Sequence, residues 1–593
     1  MAKKSKSILG TLSGLEQLTG TDAGFVYAET PRAPMHIGSM AIYDPSTAPG
    51  GKVRFKEILN FVESRLHKTD TFRQKLQKVP LGVDHPYWVD DPDFDIEFHV
   101  RHIALPQPGD WRQLCIQAAR LHSRQLDMSK PLWEFWVIEG LDNIPNIPKG
   151  SYAIVSKIHH AAIDGVSGVE IAQAVHTLTP EVEDIDAPRD FKRKRKNVSG
   201  VELLARAQVN AVTKPFHGIG VARRMAPGAL KYLAGVRRGE FSLFGNKVPR
   251  TRFNGIVSGH RVVGGEMFDL QAIKDMRNAV PEATVNDVVL AIVGGALRRY
   301  LKSKDELPAE SMIAMAPVSV RSANEKGAMG NEVSALSVAL GTEIKNPISR
   351  LMFVNETTQK SKAMSNAIGA RQLSDASKLA PAMVSGVAAR LYTRLGLANR
   401  ITPIFNTVVS NVPGPPVPIY MNGAKMVASY GLGPVLDGLG IFHAVTSYCG
   451  GIAVTFTADR KMISDPDHYA ACLRESYDEM IAAGAKAAKK NKKKTDVAAP
   501  AKKAEKKKKP DAGGDDLTMI NGVGPTLQKK LKANGVSTFR QIADLKDSDI
   551  EKLEAQLKFK GRIQRDKWIA QAQQLVAAKA NGATASDATG TVH

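Results

Sequence analysis

His159 and His160 stand side by side at the end of the apolar run in SYAIVSKIHHAAIDGVSGVEIAQ, residues 151–173, and Asp164 and Gly165 follow within a turn. A neutral imidazole can take a proton from a hydroxyl near pH 7, and general-base help of this kind contributes roughly 10²–10⁴-fold in rate. The ring must first be held in one tautomer. Asp164, four residues after His160, is near enough along a tight loop to orient a ring or to pair with a buried arginine that keeps the loop shut. Two satisfied core histidines are the plainer reading of any such pair. Adjacency at a strand end, with Asp-Gly after it, tips the balance toward chemistry.

The flanking residues show which elements must hold this group. Ala153, Ile154, Val155 and Ile158 form a β-prone run, Gly165 and Gly168 mark a turn, and Val169, Ile171, Ala172 and Ala174 begin a helical pattern. Upstream, the segment TPRAPMH at 30–36 is a proline-stiffened entry to a strand at 37–43, with His36 assigned a structural role ahead of a place in the cleft. Helix-like stretches at 55–67 and 111–126 alternate with short apolar runs, so residues 8–180 read as mixed α/β. Pro131 leads into a strand with Trp133, Phe135 and Trp136, whose large faces suit packing beside the histidine strand.

A second α/β pattern runs from about 254 to 486. ATVND at 283–287 opens an apolar helical pattern at 288–301, which Thr284 or Asn286 could cap. MAPVSVR at 315–321 is a strand ending in Arg321, a cation for either a phosphate or an internal carboxylate. Ser410 and Asn411 lie in NTVVSNVPGPPVPIYM at 406–421, a strand followed by a turn that its prolines hold rigid.

At 593 residues the chain exceeds one compact core, and 43% hydrophobic content is enough to fill several. Cys115, Cys449 and Cys472 lie far apart with no CxxC spacing, which argues against a zinc site or a bridge framework and for a reducing cytoplasm. The start has lysines but no apolar stretch of secretory length, and no run approaches the roughly 18 apolar residues of a spanning helix. A formal charge of +22 favours anionic partners: lipid headgroups, nucleic acid or a phosphate-bearing cofactor. Much of it is concentrated at 485–510, where twelve lysines face Asp496 and Glu505. Another basic run, KRKRK at 192–196, precedes helix-compatible stretches at 201–212 and 221–236; these could cross between domains on an anionic interface or serve as a solvated connector.

These residues also carry a family resemblance. His159, His160, Asp164 and Gly165 match the HHxxxDG signature of the CoA-dependent acyltransferase superfamily. The segments PMHIGSMAIYD, RQKLQKVPLGVDHPYWVDDPDFDIEFHVRHIALPQPG, LDMSKPLWEFWVIEGL and TVNDVVLAIVGGALRRYL resemble, in that order, the bacterial wax ester synthase/diacylglycerol acyltransferase family. The likeness covers about residues 8–485. It implies two chloramphenicol-acetyltransferase-like α/β domains meeting at a cleft, with acyl-CoA as co-substrate, no permanently bound cofactor and no metal. It implies His160 as general base, His159 shaping the pocket, Asp164 holding the loop, Gly165 permitting its turn, and Asn286 stabilising the oxyanion. Asp287, Ser410, Asn411 and Arg321 become substrate-side candidates. A DFGWG-type loop found in several wider relatives is missing, so the second-half contribution rests on weaker motifs.

After the lysine-rich linker, residues 514–578 resemble a helix-hairpin-helix module, with Gly522 and Gly524 at its hairpin. Glycine amides there can bind a backbone phosphate. Protein or lipid contact is placed ahead of nucleic acid. The expected organisation is a first transferase half at 1–185, a basic crossover at 186–253, a second half at 254–485, a linker at 486–513, the all-α module at 514–578 and a disordered tail at 579–593. The leading expectation is an acyl-CoA-dependent O-acyltransferase that esterifies diacylglycerol or a long-chain alcohol. It would be cytoplasmic and peripheral on an anionic membrane or lipid-droplet surface, with a homo-oligomer left open. The rivals are a CoA-dependent transferase with another acceptor, and a non-catalytic protein tethering lipid inclusions to nucleic acid.

Overall fold

The apolar run before the histidines is a strand buried on both faces. Tyr152, Ile154 and Ile158 pack into one layer with Ile58, Phe61 and Val62, while Ala153 and Val155 pack into the other with Leu114 and Ala118. Each buried valine, leucine, isoleucine or phenylalanine among them contributes about 1.5–3 kcal/mol by leaving water. The structure, a computed structural model of the chain, describes residues 15–163, 167–182, 198–211, 248–319, 333–368, 395–497, 515–520, 523–545, 547–557, 563 and 568–580.

Among these residues the strands are β1 (Glu16–Gln17), β2 (His36–Asp44), β3 (Gln74–Gln77), β4 (Tyr87–Asp90), β5 (Val100–Ala104), β6 (Trp133–Glu139), β7 (Tyr152–His159), β8 (Arg261–Asp269), β9 (Ile313–Ser319), β10 (Val333–Ala339), β11 (Thr407–Pro413), β12 (Tyr420–Met421), β13 (Ala424–Leu432), β14 (Ile441–Tyr448) and β15 (Gly451–Asp459). They form a small sheet β1-β4-β3 and two six-stranded sheets, β12-β13-β2-β7-β6-β5 and β10-β9-β11-β14-β15-β8. The histidine strand β7 lies inside the first large sheet, antiparallel to β2 and β6, with His36 opposite His159 and Trp133 opposite Ile158. Trp133 is fully buried among Phe72, His99 and Phe135, the packing role expected for it. His36 is equally buried, its Nε2 donating to the His122 carbonyl at 2.7 Å.

The two halves are interleaved. β12 and β13 come from the second half in sequence yet complete the first sheet, β13 pairing with β2 from Lys425↔Asp44 to Leu432↔Gly38. Helix Trp111–His122 packs against β8, and one apolar cluster holds Leu114 and Ala118 together with Val263, Leu432 and Ala453.

In the second half, helix Val285–Lys302 is buried almost all round, against helices Pro347–Ile368 and Pro466–Val497. That last helix continues past 485, where a linker was expected, because alanine and lysine are both strong helix formers. Close packing explains Gly294: a Cβ there would lie 2.2 Å from the Leu340 carbonyl oxygen. Gly→Ala inside a helix ordinarily stabilises by about 1 kcal/mol. Here the sign reverses, and Gly294→Ala should lose about 1–3 kcal/mol through overpacking against main chain that cannot give way. Thermal unfolding of the variant reads this directly, and an unchanged or raised Tm would contradict it.

Residues 499–593 form a separate compact unit. Its helices Pro525–Ala533, Phe539–Ala543, Asp547–Leu557 and Trp568–Ala580 enclose Leu517, Ile520, Leu531, Ile542 and Trp568. Gly524 is the N-cap of the first of these helices, with Pro525 in its first turn, while Gly522 lies outside the described residues. Among the described residues no helix is long and apolar enough to cross a membrane.

Candidate active site

β7 ends at His159, and the chain turns through a short 3-10 turn, His160–Ala162. The two rings are held in different ways. His159 is fully buried: its Nδ1 accepts from the Ala161 N–H at 3.1 Å, and its Nε2 lies 3.1 Å from Glu29 Oε2. An N–H donor on one side and a carboxylate on the other select the tautomer with the proton on Nε2. Both nitrogens of His159 are therefore engaged.

His160 is held differently, by its main chain and by the face of its ring. Its main-chain N–H is anchored to the Met35 carbonyl at 2.9 Å, and its ring stacks on Phe25 with centroids 3.9 Å apart and planes 13° from parallel. Nδ1 is buried without a hydrogen-bond partner among the described residues. Burial pushes the imidazole down to about 4; its own main-chain carbonyl, outside hydrogen-bonding geometry, pulls the other way, and the His159 ring adds to the lowering. At neutral pH the ring is uncharged and able to accept a proton.

Glu29 and Phe25 were not singled out in the sequence, yet they belong to the element that seats both histidines. Helix Gly20–Ala28 is N-capped by Thr19, whose Oγ1 accepts from the Asp22 N–H, and it closes at Glu29. The Thr19-x-x-Asp22 spacing is a helix-start signal legible in sequence. What it could not reveal is that the helix's far end meets a turn 130 positions away.

From the second half, helix Val285–Lys302 begins at a capping box: Thr284 Oγ1 accepts from the Asp287 N–H, and Asp287 Oδ2 accepts from the Thr284 N–H at 2.9 Å. Asn355 donates to the same carboxylate at 3.1 Å, so the buried Asp287 orders the helix start. Asn286, the next residue back, is half-buried, and its Oδ1 accepts from Asn411 Nδ2 at 3.3 Å. The structure thus brings Asn286 of the helix start and Asn411 of β11 together, with Ser410 half-buried beside them in the strand. The Asn286 amide nitrogen has no hydrogen bond among the described residues and remains a donor. Asp164, Gly165 and Arg321 lie outside the described residues.

Two mixed sheets interleaved through β13, with a histidine pair closing the central strand of one, define a chloramphenicol-acetyltransferase-like fold. Residues 18–289 match the wax ester synthase/diacylglycerol acyltransferase catalytic domain, and residues 329–481 match the WS/DGAT C-terminal domain. The chain is 31% identical over 477 residues to the protein named probable diacylglycerol O-acyltransferase tgs2 of Mycobacterium tuberculosis, an alignment spanning 79% of this chain and 99% of that one. Its structure is similar to the wax ester synthase/diacylglycerol acyltransferase from Marinobacter aquaeolei VT8, with a TM-score of 0.56, 25% identity, and coverage of 79% and 99% of the two chains. The chain belongs to the wax ester synthase/diacylglycerol acyltransferase family. Residues 517–576 match the RS2/RL21/YNQ2 HHH domain, in line with the helix-hairpin-helix resemblance of this segment.

Proposed function

We infer that this protein is an acyl-CoA-dependent O-acyltransferase that esterifies diacylglycerol or a long-chain alcohol. One observation carries the reading: of two adjacent histidines, His159 has both nitrogens engaged, while His160 is neutral with its buried Nδ1 unbonded among the described residues. His160 takes the hydroxyl proton as the alcohol oxygen attacks the thioester carbonyl carbon. The Asn286 amide, at a helix start, stabilises the resulting oxyanion. Collapse of the tetrahedral intermediate breaks the C–S bond, and the departing CoA sulfur recovers the proton from His160. His159 and Glu29 hold the turn, and Ser410, Asn411 and Arg321 belong to the substrate side. The basic segment at 192–196 and the lysines of 486–509 would keep the enzyme at an anionic lipid surface, where insoluble acceptors partition.

A purified-protein assay with palmitoyl-CoA and either diolein or hexadecanol tests this; ester from neither acceptor would overturn it. The pH profile tests the assignment of the base. The deprotonated ring is the active form, and its value is pushed down to about 4, so the acid limb of kcat/KM should fall well below the ordinary histidine value of about 6.5. Activity at pH 5.5 should stay close to that at pH 7. A limb centred near 6.5 would mean that the working base sits in water-like surroundings, which this ring does not.

A further inference from the structure

A cavity of about 180 Å³ opens where helix Trp111–His122 of the first half meets β8 of the second. Arg112, Arg120, Arg261 and Arg460 line it above a partly apolar floor that includes Cys115 and Val263, and its lining holds no carboxylate. Carboxylates just outside the lining compensate two of the four, Asp459 beside Arg261 and Asp467 beside Arg112, so the positive excess at this floor comes from Arg120 and Arg460.

The four arginines are not equivalent. Arg261 is buried, donates to the main-chain carbonyls of Ser258, His260, Arg32 and Val435, and lies 3.7 Å from Asp459, which makes it a fixed inner charge. Arg112 meets Asp467 at 3.4 Å in an exposed pair of the kind that contributes little. The guanidinium groups of Arg120 and Arg460 have no ionic or hydrogen-bonding partner among the described residues. Guanidinium forks match phosphate oxygens in pairs. Size narrows the ligand further. Whole small-molecule sites occupy about 300–1,000 Å³, so this cavity suits a phosphate or diphosphate group rather than a complete nucleotide.

We propose that the cavity is an anion site that holds a phosphate group of the acyl donor's CoA moiety, with Arg120 and Arg460 as its recognition residues; this rests on the acyl-CoA reading above. A lipid headgroup offers the same chemistry but stays in the plane of its membrane. CoA is a long, soluble chain that can reach into a seam between two packed halves.

The test compares wild type with R120A/R460A and with the charge-retaining R120K/R460K. Initial rates are measured with palmitoyl-CoA and with the phosphate-free palmitoyl thioester of N-acetylcysteamine. Loss of two charge-assisted contacts should reduce the preference for the CoA thioester by about 100-fold, roughly tenfold per arginine, chiefly through KM. R120K/R460K should recover part of it. Calorimetric titration with CoA should show a matching loss of affinity, and this arm reads the site even if no ester is formed, so failure of the transferase reading and failure of the anion site are distinguishable. Equal losses with both thioesters would overturn the proposal in favour of a structural role. So would unchanged CoA affinity. If unchanged CoA affinity accompanied lost binding to phosphatidylglycerol vesicles, the phosphate would be a headgroup's and the donor assignment would fail.

Discussion

His160→Ala should lower ester formation by roughly 10²–10⁴-fold, the usual weight of a positioned general base, and should leave the fold largely intact. The anchor of this residue is its main-chain N–H on the Met35 carbonyl, which alanine keeps. The variant loses the ring stack on Phe25, worth about 0.5–1.5 kcal/mol beyond area burial, and no hydrogen bond from Nδ1, which makes none to any described residue. His159→Ala should behave differently. It would strand the buried Glu29 carboxylate and remove the acceptor of the Ala161 N–H, so stability falls along with activity. The pair is separated by steady-state rates and a thermal melt on each variant. His160→Ala turning over within tenfold of wild type would remove this ring from the chemistry.

Glu29→Ala should produce the second large effect without touching substrate. The Glu29 side chain is 3% exposed and lies 3.1 Å from His159 Nε2. Truncating it leaves a buried donor unsatisfied, at a cost of about 1–3 kcal/mol, and frees His159 to move its proton to Nδ1. The Ala161 N–H would then lose its acceptor, and the turn that carries His160 would lose its brace. Misplacement of a reacting group by about 1 Å can cost 10²-fold, so kcat should fall by about 10–10²-fold while KM changes little. Glu29→Gln retains an oxygen acceptor for Nε2–H and should recover most of the rate. If glutamine proves as damaging as alanine, the negative charge itself matters and the positioning account fails.

Much of the frame around the candidate site was legible because its signals are local. The run Ala153–Ile158 read as a strand ending at two histidines, and β7 does. Thr284 or Asn286 read as the helix cap, and Thr284 takes that place, closing a capping box with Asp287. What could not be read depends on partners distant in the chain. Nothing in the period of Ala424–Leu432 says that this strand will lie against β2 rather than in the sheet of its own half. Glu29 looks like any surface acid until the fold delivers His159 to it. Phe25 likewise fits a small apolar face, and only the tertiary arrangement stacks it on the His160 ring. The helical pattern of 111–126 ends earlier than expected, at His122, where Ser123 closes the last turn. The opposite happens at 485, where backbone preference carries the helix through the lysines to Val497.

Because β13 is borrowed across the midline, the two lobes cannot part like the jaws of a clamp without tearing a ladder of main-chain bonds. Severed at residue 253, the amino-terminal fragment would bare the flank of β2, an unpaired row of the kind that recruits other chains into aggregates. Entry and exit of long acyl chains must accordingly rely on side-chain and loop rearrangements around a clasped frame, and the lobes must mature as one cooperative body.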